Sequence, residues 1–307
     1  MTASCPDRTM SKTPTVNPWQ AWMLAARPRT LPAAVTPVLV GSALAWSDGE
    51  FALFPALAAL LCALLIQVGT NLANDYFDYV KGADIAERRG PTRAAQSGLI
   101  ALPHLRLGIL AVFALAAFVG LYLVVIGGWP ILVVGIASLI SALAYTGGPF
   151  PLGYHGLGDL FVFLFFGLAG VCGTYYIQAQ RLGPLVVMAA IPVGTLITAI
   201  LVVNNLRDIA TDRQTGKRTL AVLIGAQATR LEYALLVLVA YLIPLTLVLL
   251  KWSSPWGLLP WLTLPWAVGL VRRLYRTDEG PRLNRALAGT ANLSLLFGVT
   301  FSIGLVL

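Results

Sequence analysis

Apolar runs of about twenty residues recur along most of the chain, separated by short polar or proline-containing stretches. A helix needs about 20 apolar residues to cross a hydrocarbon core. The rhythm therefore predicts about nine spans, near residues 19–46, 51–74, 105–126, 129–147, 157–178, 184–207, 229–250, 255–275 and 286–307. Pro28, Pro32 and Pro37 should bend or break the first span. Pro130, Pro184 and Pro255 stand near helix starts, where a missing N–H costs nothing. Residues 1–18 are polar, contain proline and lack an apolar core followed by a small-residue cleavage site. They read as a disordered cytoplasmic lead-in rather than a signal peptide. Residues 19–307 read as one transmembrane domain, so the expected fold is an all-α integral membrane bundle.

Composition agrees and narrows the class. The 307 residues are 58% hydrophobic and only 11% charged, against about 25% charged in a soluble domain; the mean hydropathy is +0.79. Of the 21 Lys and Arg, only Arg181 and Lys251 fall in the loops joining spans 1–2, 3–4, 5–6 and 7–8. The opposite face is then cytoplasmic by the positive-inside rule, and a multi-pass position in the inner (plasma) membrane is expected. The net charge of +8 describes one membrane face, so no nucleic acid is expected as a partner. Cys5, Cys62 and Cys172 are scattered and form neither a ligand spacing nor a disulfide framework. His104 and His155 are too few and too far apart for a zinc site.

Two acidic-amide clusters interrupt this lipid-like background: NLANDYFDYVKGAD at 71–84 and NNLRDIATDRQTGKRTL at 204–220. On a helix Asn71, Asn74, Asp75 and Asp78 fall at i, i+3, i+4 and i+7, which is one face. Asn204, Asp208 and Asp212 do the same at i, i+4 and i+8. A carboxylate at a bilayer centre costs about 2.5–3.5 kcal/mol on insertion scales, and a helix C-terminus is already partly negative. Acids gathered there call for a cation. Mg2+ is the simplest, since it takes carboxylate and amide oxygens and shares them with substrate phosphates. Both clusters close spans on the same face, which suggests two related halves around a shared site. One cluster alone is better read as a helix cap or interhelical hydrogen-bond set, whereas two with flanking bases suit Mg2+ and a diphosphate. An isoprenoid diphosphate would ionise to an allylic cation, for which the rings of Tyr76, Tyr79 and Tyr145 are candidates. A cation-coupled transporter also places acids inside a bundle, but it leaves the adjacent bases unexplained.

At this point the residues resemble a family. NDxxD at 74–78 with DxxxD at 208–212 is similar to the UbiA superfamily of intramembrane aromatic prenyltransferases. ARPRTLPAAVTPVLVG at 26–41, GPTR at 90–93 and YTGGPFPLGYHGLGD at 145–159, together with the two clusters, resemble its 1,4-dihydroxy-2-naphthoate polyprenyltransferase branch. The resemblance implies a nine-helix bundle with a central cavity capped by loops. It implies transfer of a polyprenyl chain from a polyprenyl diphosphate to 1,4-dihydroxy-2-naphthoate, with Mg2+ as cofactor and the bilayer as surroundings. Other aromatic acceptors, 4-hydroxybenzoate or homogentisate, are the alternative.

The same resemblance assigns roles. Asn74, Asp78, Asp208 and Asp212 are the implied catalytic metal-diphosphate ligands. Asp75 joins them as a candidate for metal or for a basic neighbour, and Asp84 completes the first motif, since Gly82 occupies the third-acid position of the broader superfamily. Lys81, Arg93, Lys217 and Arg218 are diphosphate candidates, each open to the alternative of a topology-setting charge. Arg29, Asn71, Tyr145 and Asp159 complete the substrate set, with snorkelling to lipid headgroups as the alternative for Arg29 and an N-terminal cap as that for Asp159. His155 is weighed as a proton-transfer group against a plain loop residue. The glycines of 145–159 read as a pliable substrate lid.

Overall fold

The structure, a computed structural model, describes residues 17–83, 90 and 93–307. Asp84 and the lead-in before Asn17 lie outside the described residues. The described chain is helical. The first span is a broken pair: α1 (Pro18–Ala26) and α2 (Pro32–Ser47), joined by a 3-10 turn at Pro28–Thr30 and bent by 49°. Asn17 and Gln20 close a reciprocal capping box over the start of α1. Arg27 ends α1 in the left-handed region, at φ 51°, and Pro28 and Pro32 each open the next element. The proline-dependent break therefore lies where the sequence puts it.

Next come α3 (Leu53–Val80) and α4 (Leu102–Ala144), the latter interrupted at Gly128 (φ 68°, ψ −157°), so that Pro130 opens its second leg. Residues 158–179 run as α5 (Gly158–Val162), a π-helical stretch Phe163–Cys172 and α6 (Gly173–Ala179). Then follow α7 (Pro184–Gln214) and α8 (Leu220–Leu249), the second broken at Gly225 (φ 82°, ψ 167°). A 3-10 segment Pro255–Thr263 leads into α9 (Leu264–Tyr275), and α10 (Gly280–Val306) closes the chain. Among the described residues six helices are long and apolar enough to cross a membrane, or seven if the bent α1–α2 pair counts as one span.

Which helix meets lipid and which meets protein follows from the side chains. In α7 72% of the apolar window is buried, against 17% in α4, so α7 is the central post and α4 an outer one. The main core gathers on α7, with Val193, Leu196, Ala199 and Val203 against Tyr233 and Val237 of α8 and Phe297 and Phe301 of α10. At Gly167 and Gly194 the π-helical stretch and α7 approach so closely that a Cβ on Gly167 would stand 2.8 Å from the Gly194 Cα. Peripheral helices instead turn Leu, Phe and Trp outward, as Phe118, Val125 and Trp129 do on α4. Such a bundle leaves its polar chemistry to the helix ends.

Candidate functional site

Asp78, near the C-terminus of α3, is the hub of the first cluster. Its Oδ2 accepts from Arg93 Nη2 at 2.8 Å, and its Oδ1 accepts from Tyr154 Oη at 2.8 Å with Lys217 Nζ at 3.6 Å. The pair is buried, with side chains 7% (Arg93) and 3% (Asp78) exposed. Four segments therefore converge on one carboxylate: α3, the stretch at 93–95, the loop at 152–154 and the turn after α7. Asn74, one turn back, accepts from Thr146 Oγ1 at 2.8 Å. Asp75 points to the neighbouring stretch, where its Oδ2 accepts the Ala94 amide at 3.0 Å.

Two lysines flank the hub. Lys81 Nζ donates to the carbonyls of Thr146 (2.7 Å) and Gly148 (3.2 Å) and lies 5.1 Å from the Tyr154 ring centroid. Lys217 Nζ lies 4.8 Å from the same centroid. Both are within cation–π range of one ring. Burial lowers the Lys81 ammonium from its usual range; Asp78 opposes the shift and Lys217 adds to it. Arg218 contributes its backbone, donating its N–H to the Tyr154 carbonyl at 3.1 Å, while its side chain is exposed.

The second cluster is organised by Arg207. Its Nε and Nη2 clasp Asp208 at 2.8 and 2.5 Å, Nη2 also meets Asn204 Oδ1 at 2.8 Å, and Nη1 reaches Asn284 Oδ1 of α10 at 2.7 Å. Arg207 is 3% exposed, and a guanidinium that dry must be paired. Asp212 accepts the Lys217 amide on its backbone carbonyl at 2.8 Å, closing the turn that carries Lys217 toward Asp78.

Tyr145, at the end of α4, joins the clusters. Burial raises its phenol above the usual tyrosine range, and the charges of Asp159, Asp78 and Asp212 raise it further. Acids from α3, α5 and α7 thus act on one ring. Their approach requires glycine: a Cβ on Gly158 would stand 2.9 Å from Tyr145 Oη, and one on Gly153 would stand 3.1 Å from its ring. These two glycines give contact to Tyr145, a tighter role than the pliability expected of them. Tyr145 also lines an apolar cavity of about 420 Å³ between α2, α3, α4 and the 158–179 segment, whose few polar side chains include Gln67, Thr70 and Ser138. The phenol stays protonated at the boundary between an oily cavity and a set of carboxylates.

Other expected residues take different places. Asn71 Nδ2 donates to the Ala26 carbonyl and Thr30 Oγ1, both at 2.9 Å, which clamps the broken first span to α3. Arg29, on the adjoining turn, is exposed and makes no ion pair with the described residues. Asp159 is 7% exposed in the first turn of α5, but Leu157 occupies the cap and no side chain caps the helix, so the capping alternative does not hold. Tyr76 packs against Phe77 in a side cluster and Tyr79 is exposed, so that of these three rings Tyr145 alone lines the cavity, together with Phe161, Phe165 and Phe166. His155 stacks on Phe150 at 3.8 Å with Nδ1 on the Pro151 carbonyl, held in its own loop. Tyr154, Thr146, Arg207 and Asn284 escaped the sequence reading. Arg207 carried a signal, a guanidinium beside an aspartate at the end of an apolar helix; Tyr154 and Thr146 lay inside the quoted 145–159 motif without one.

Among the described residues no three His, Cys, Asp or Glu side chains are grouped closely enough to cage a metal by themselves. The donor set still fits Mg2+, which keeps several waters and binds through one or two carboxylates plus substrate phosphates rather than an all-protein cage. Asn74 with Asp78, and Asn204 with Asp208 and Asp212, offer oxygen donors of that kind.

Comparison with known proteins places the chain in a family. Residues 34–296 match the model of the UbiA prenyltransferase family. The chain is 38% identical over 294 residues to the 1,4-dihydroxy-2-naphthoate octaprenyltransferase of Escherichia coli K12, covering 94% of this chain and 96% of that one. It is 39% identical over 248 residues to the Mycobacterium tuberculosis protein of the same name, covering 80% and 83%. A solved UbiA homolog from Archaeoglobus fulgidus, bound to GPP and Mg2+, superposes with a TM-score of 0.68 at 15% identity, over 93% of this chain and 99% of that one.

Proposed function

Because the chain belongs to the UbiA prenyltransferase family, we propose that it transfers a polyprenyl chain from polyprenyl diphosphate to 1,4-dihydroxy-2-naphthoate, with loss of diphosphate and carbon dioxide, to give demethylmenaquinone. The observation that carries this reading is the position of Tyr145, which lines the apolar cavity and packs against Gly153 and Gly158, in the segment whose Tyr154 donates to Asp78. The prenyl tail occupies the cavity and the diphosphate lies toward the helix ends. Asn74, Asp78, Asp208 and Asp212 hold Mg2+ there, with Asp75 and Asp84 as further candidates. When bound, Mg2+ supplies positive charge against the departing diphosphate.

Arg93, Lys81 and Lys217 stand around Asp78 and add fixed positive charge at the same end, with Arg218 on the adjoining turn. The phenol of Tyr145 remains neutral, so its ring presents a π face to the allylic cation. The electron-rich naphthoate attacks that cation at the carbon bearing its carboxylate, and decarboxylation restores aromaticity. No covalent enzyme intermediate is needed. Nine crossings follow if the two legs of α4 and the Pro255–Tyr275 rod are counted separately, and the site faces the cytoplasm of the inner membrane by the distribution of Lys and Arg.

The test supplies the purified protein in detergent with a polyprenyl diphosphate and either dihydroxynaphthoate or 4-hydroxybenzoate. The expected product is a decarboxylated prenyl naphthalenediol. A preferred product that keeps its carboxylate on a single ring would move the enzyme to another acceptor.

A further inference from the structure

Where α9 meets α10 a second recess, of about 360 Å³, lies outside the site described above. It is lined by Gly269, Arg272, Arg273, Arg276, Thr277 and Arg282. α9 is amphipathic: Ala267, Leu270 and Leu274 are buried, whereas Arg272, Arg273 and Arg276 are exposed. The acids of this corner are already engaged. Asp278 pairs with Arg230, and Glu279 pairs with Arg282 at 2.9 Å. Arg272, Arg273 and Arg276 have no carboxylate partner among the described residues.

Three uncompensated guanidinium groups around one concavity repel one another. The negative end of the α9 dipole offsets this, but it amounts to only about half a charge over the last turn. An anion from outside would complement the rest. The surroundings identify its source. Tyr275, 53% exposed, ends the same short helix beside the arginines, as aromatic side chains do at headgroup level. Basic pockets between transmembrane helices at that level suit lipid phosphates, and guanidinium forks match phosphate oxygens in pairs.

We propose that this recess binds the phosphate of an anionic phospholipid from the leaflet beside the acidic clusters. The recess lies at the same end of the bundle as the second cluster, since Asn284, two residues beyond Arg282 on α10, accepts from the Arg207 that clasps Asp208. The proposal rests on charge and shape at α9 and α10 and is independent of the acceptor.

The experiment reconstitutes the full chain into phosphatidylcholine vesicles with or without phosphatidylglycerol and reads retained lipid by native mass spectrometry after mild extraction. The wild-type protein should retain phosphatidylglycerol in preference to phosphatidylcholine. Each Arg→Gln change at 272, 273 or 276 should weaken retention about fivefold, and the triple change about 100-fold, with prenyl transfer in detergent unchanged. Arg106→Gln, a surface arginine on α4, should retain the lipid. Undiminished retention in the triple variant, or equal loss in Arg106→Gln, would overturn the site. Displacement of the lipid by an equal concentration of inorganic phosphate would overturn the lipid as its occupant. Should the triple glutamine variant fail to insert, the triple lysine variant keeps the topology-setting charge but not the fork. Its retention should fall about tenfold, and full retention would reduce the site to diffuse surface charge.

Discussion

Replacing Asp78 by Asn keeps the side chain's size and removes its charge, which separates the two roles the structure gives it. Arg93 would be left 6% exposed without its 2.8 Å partner, and Lys217 without its 3.6 Å one. Removing one member of a buried pair costs up to about 3–5 kcal/mol when the other is left uncompensated, and the further contacts of Arg93 bring the cost below that ceiling. Lys217, 18% exposed, is partly solvated and adds little to that figure. Asp78→Asn should therefore lower the midpoint of thermal unfolding in detergent as well as turnover. Arg93→Gln should lower the midpoint too, and the double variant should lose less than the two singles together, with a coupling of about 1–3 kcal/mol. Activity should behave differently. If Asp78 also serves the diphosphate end of the substrate, turnover in the double variant stays at least about 100-fold down even as stability recovers. The assays are midpoints by intrinsic fluorescence and prenyl transfer with labelled diphosphate at saturating acceptor. Additive losses in stability would refute the buried pair, and restored turnover in the double variant would reduce Asp78 to a structural anchor.

Excess chelator should abolish transfer and added Mg2+ restore it, measured with labelled prenyl diphosphate; transfer that persists in chelator would remove the metal from the proposed function. Gly158→Ala pushes a methyl group to 2.9 Å from Tyr145 Oη and should cost about 1–3 kcal/mol by overpacking, read as a lowered unfolding midpoint together with slower transfer. An unchanged midpoint would mean that Tyr145 has room to move. Tyr145→Phe keeps the ring face and should retain most of kcat, whereas Tyr145→Leu should lower it about tenfold or more, if cation–π stabilisation is worth about 2 kcal/mol in a dry site. Equal kcat in the two variants would remove the ring from the chemistry.

How much of this was legible in the sequence depends on the physical quantity asked for. The six or seven long apolar spans were, because bilayer thickness fixes the length of an apolar run, whereas 255–275, expected as a crossing, is not among them. The acidic faces were as well, because Asn74, Asp78, Asp208 and Asp212 repeat at helical spacing where hydrocarbon penalises them. Backbone breaks were only half legible. Prolines announced the bend at Arg27–Pro32, but the π-helical stretch at Phe163–Cys172 and the break at Gly225 leave average hydropathy unchanged. Partnerships were hardest: Asp78 meets Arg93 across 15 residues and Tyr154 across 76, and helical spacing cannot tell Asp78, at the hub, from Asp75, which anchors the Ala94 amide. Basic residues show the limit most sharply. By the positive-inside rule Arg93, Arg207, Arg213 and Arg272 look alike, four charges on one membrane face. In the fold Arg93 and Arg207 are 6% and 3% exposed and clasp carboxylates, whereas Arg213 and Arg272 face outward. A charge that only sets topology gains nothing by leaving water, and burial costs it several kcal/mol unless it is paired. Burial is therefore the property that separates a site cation from a topology cation, and it becomes visible only when the helices are packed.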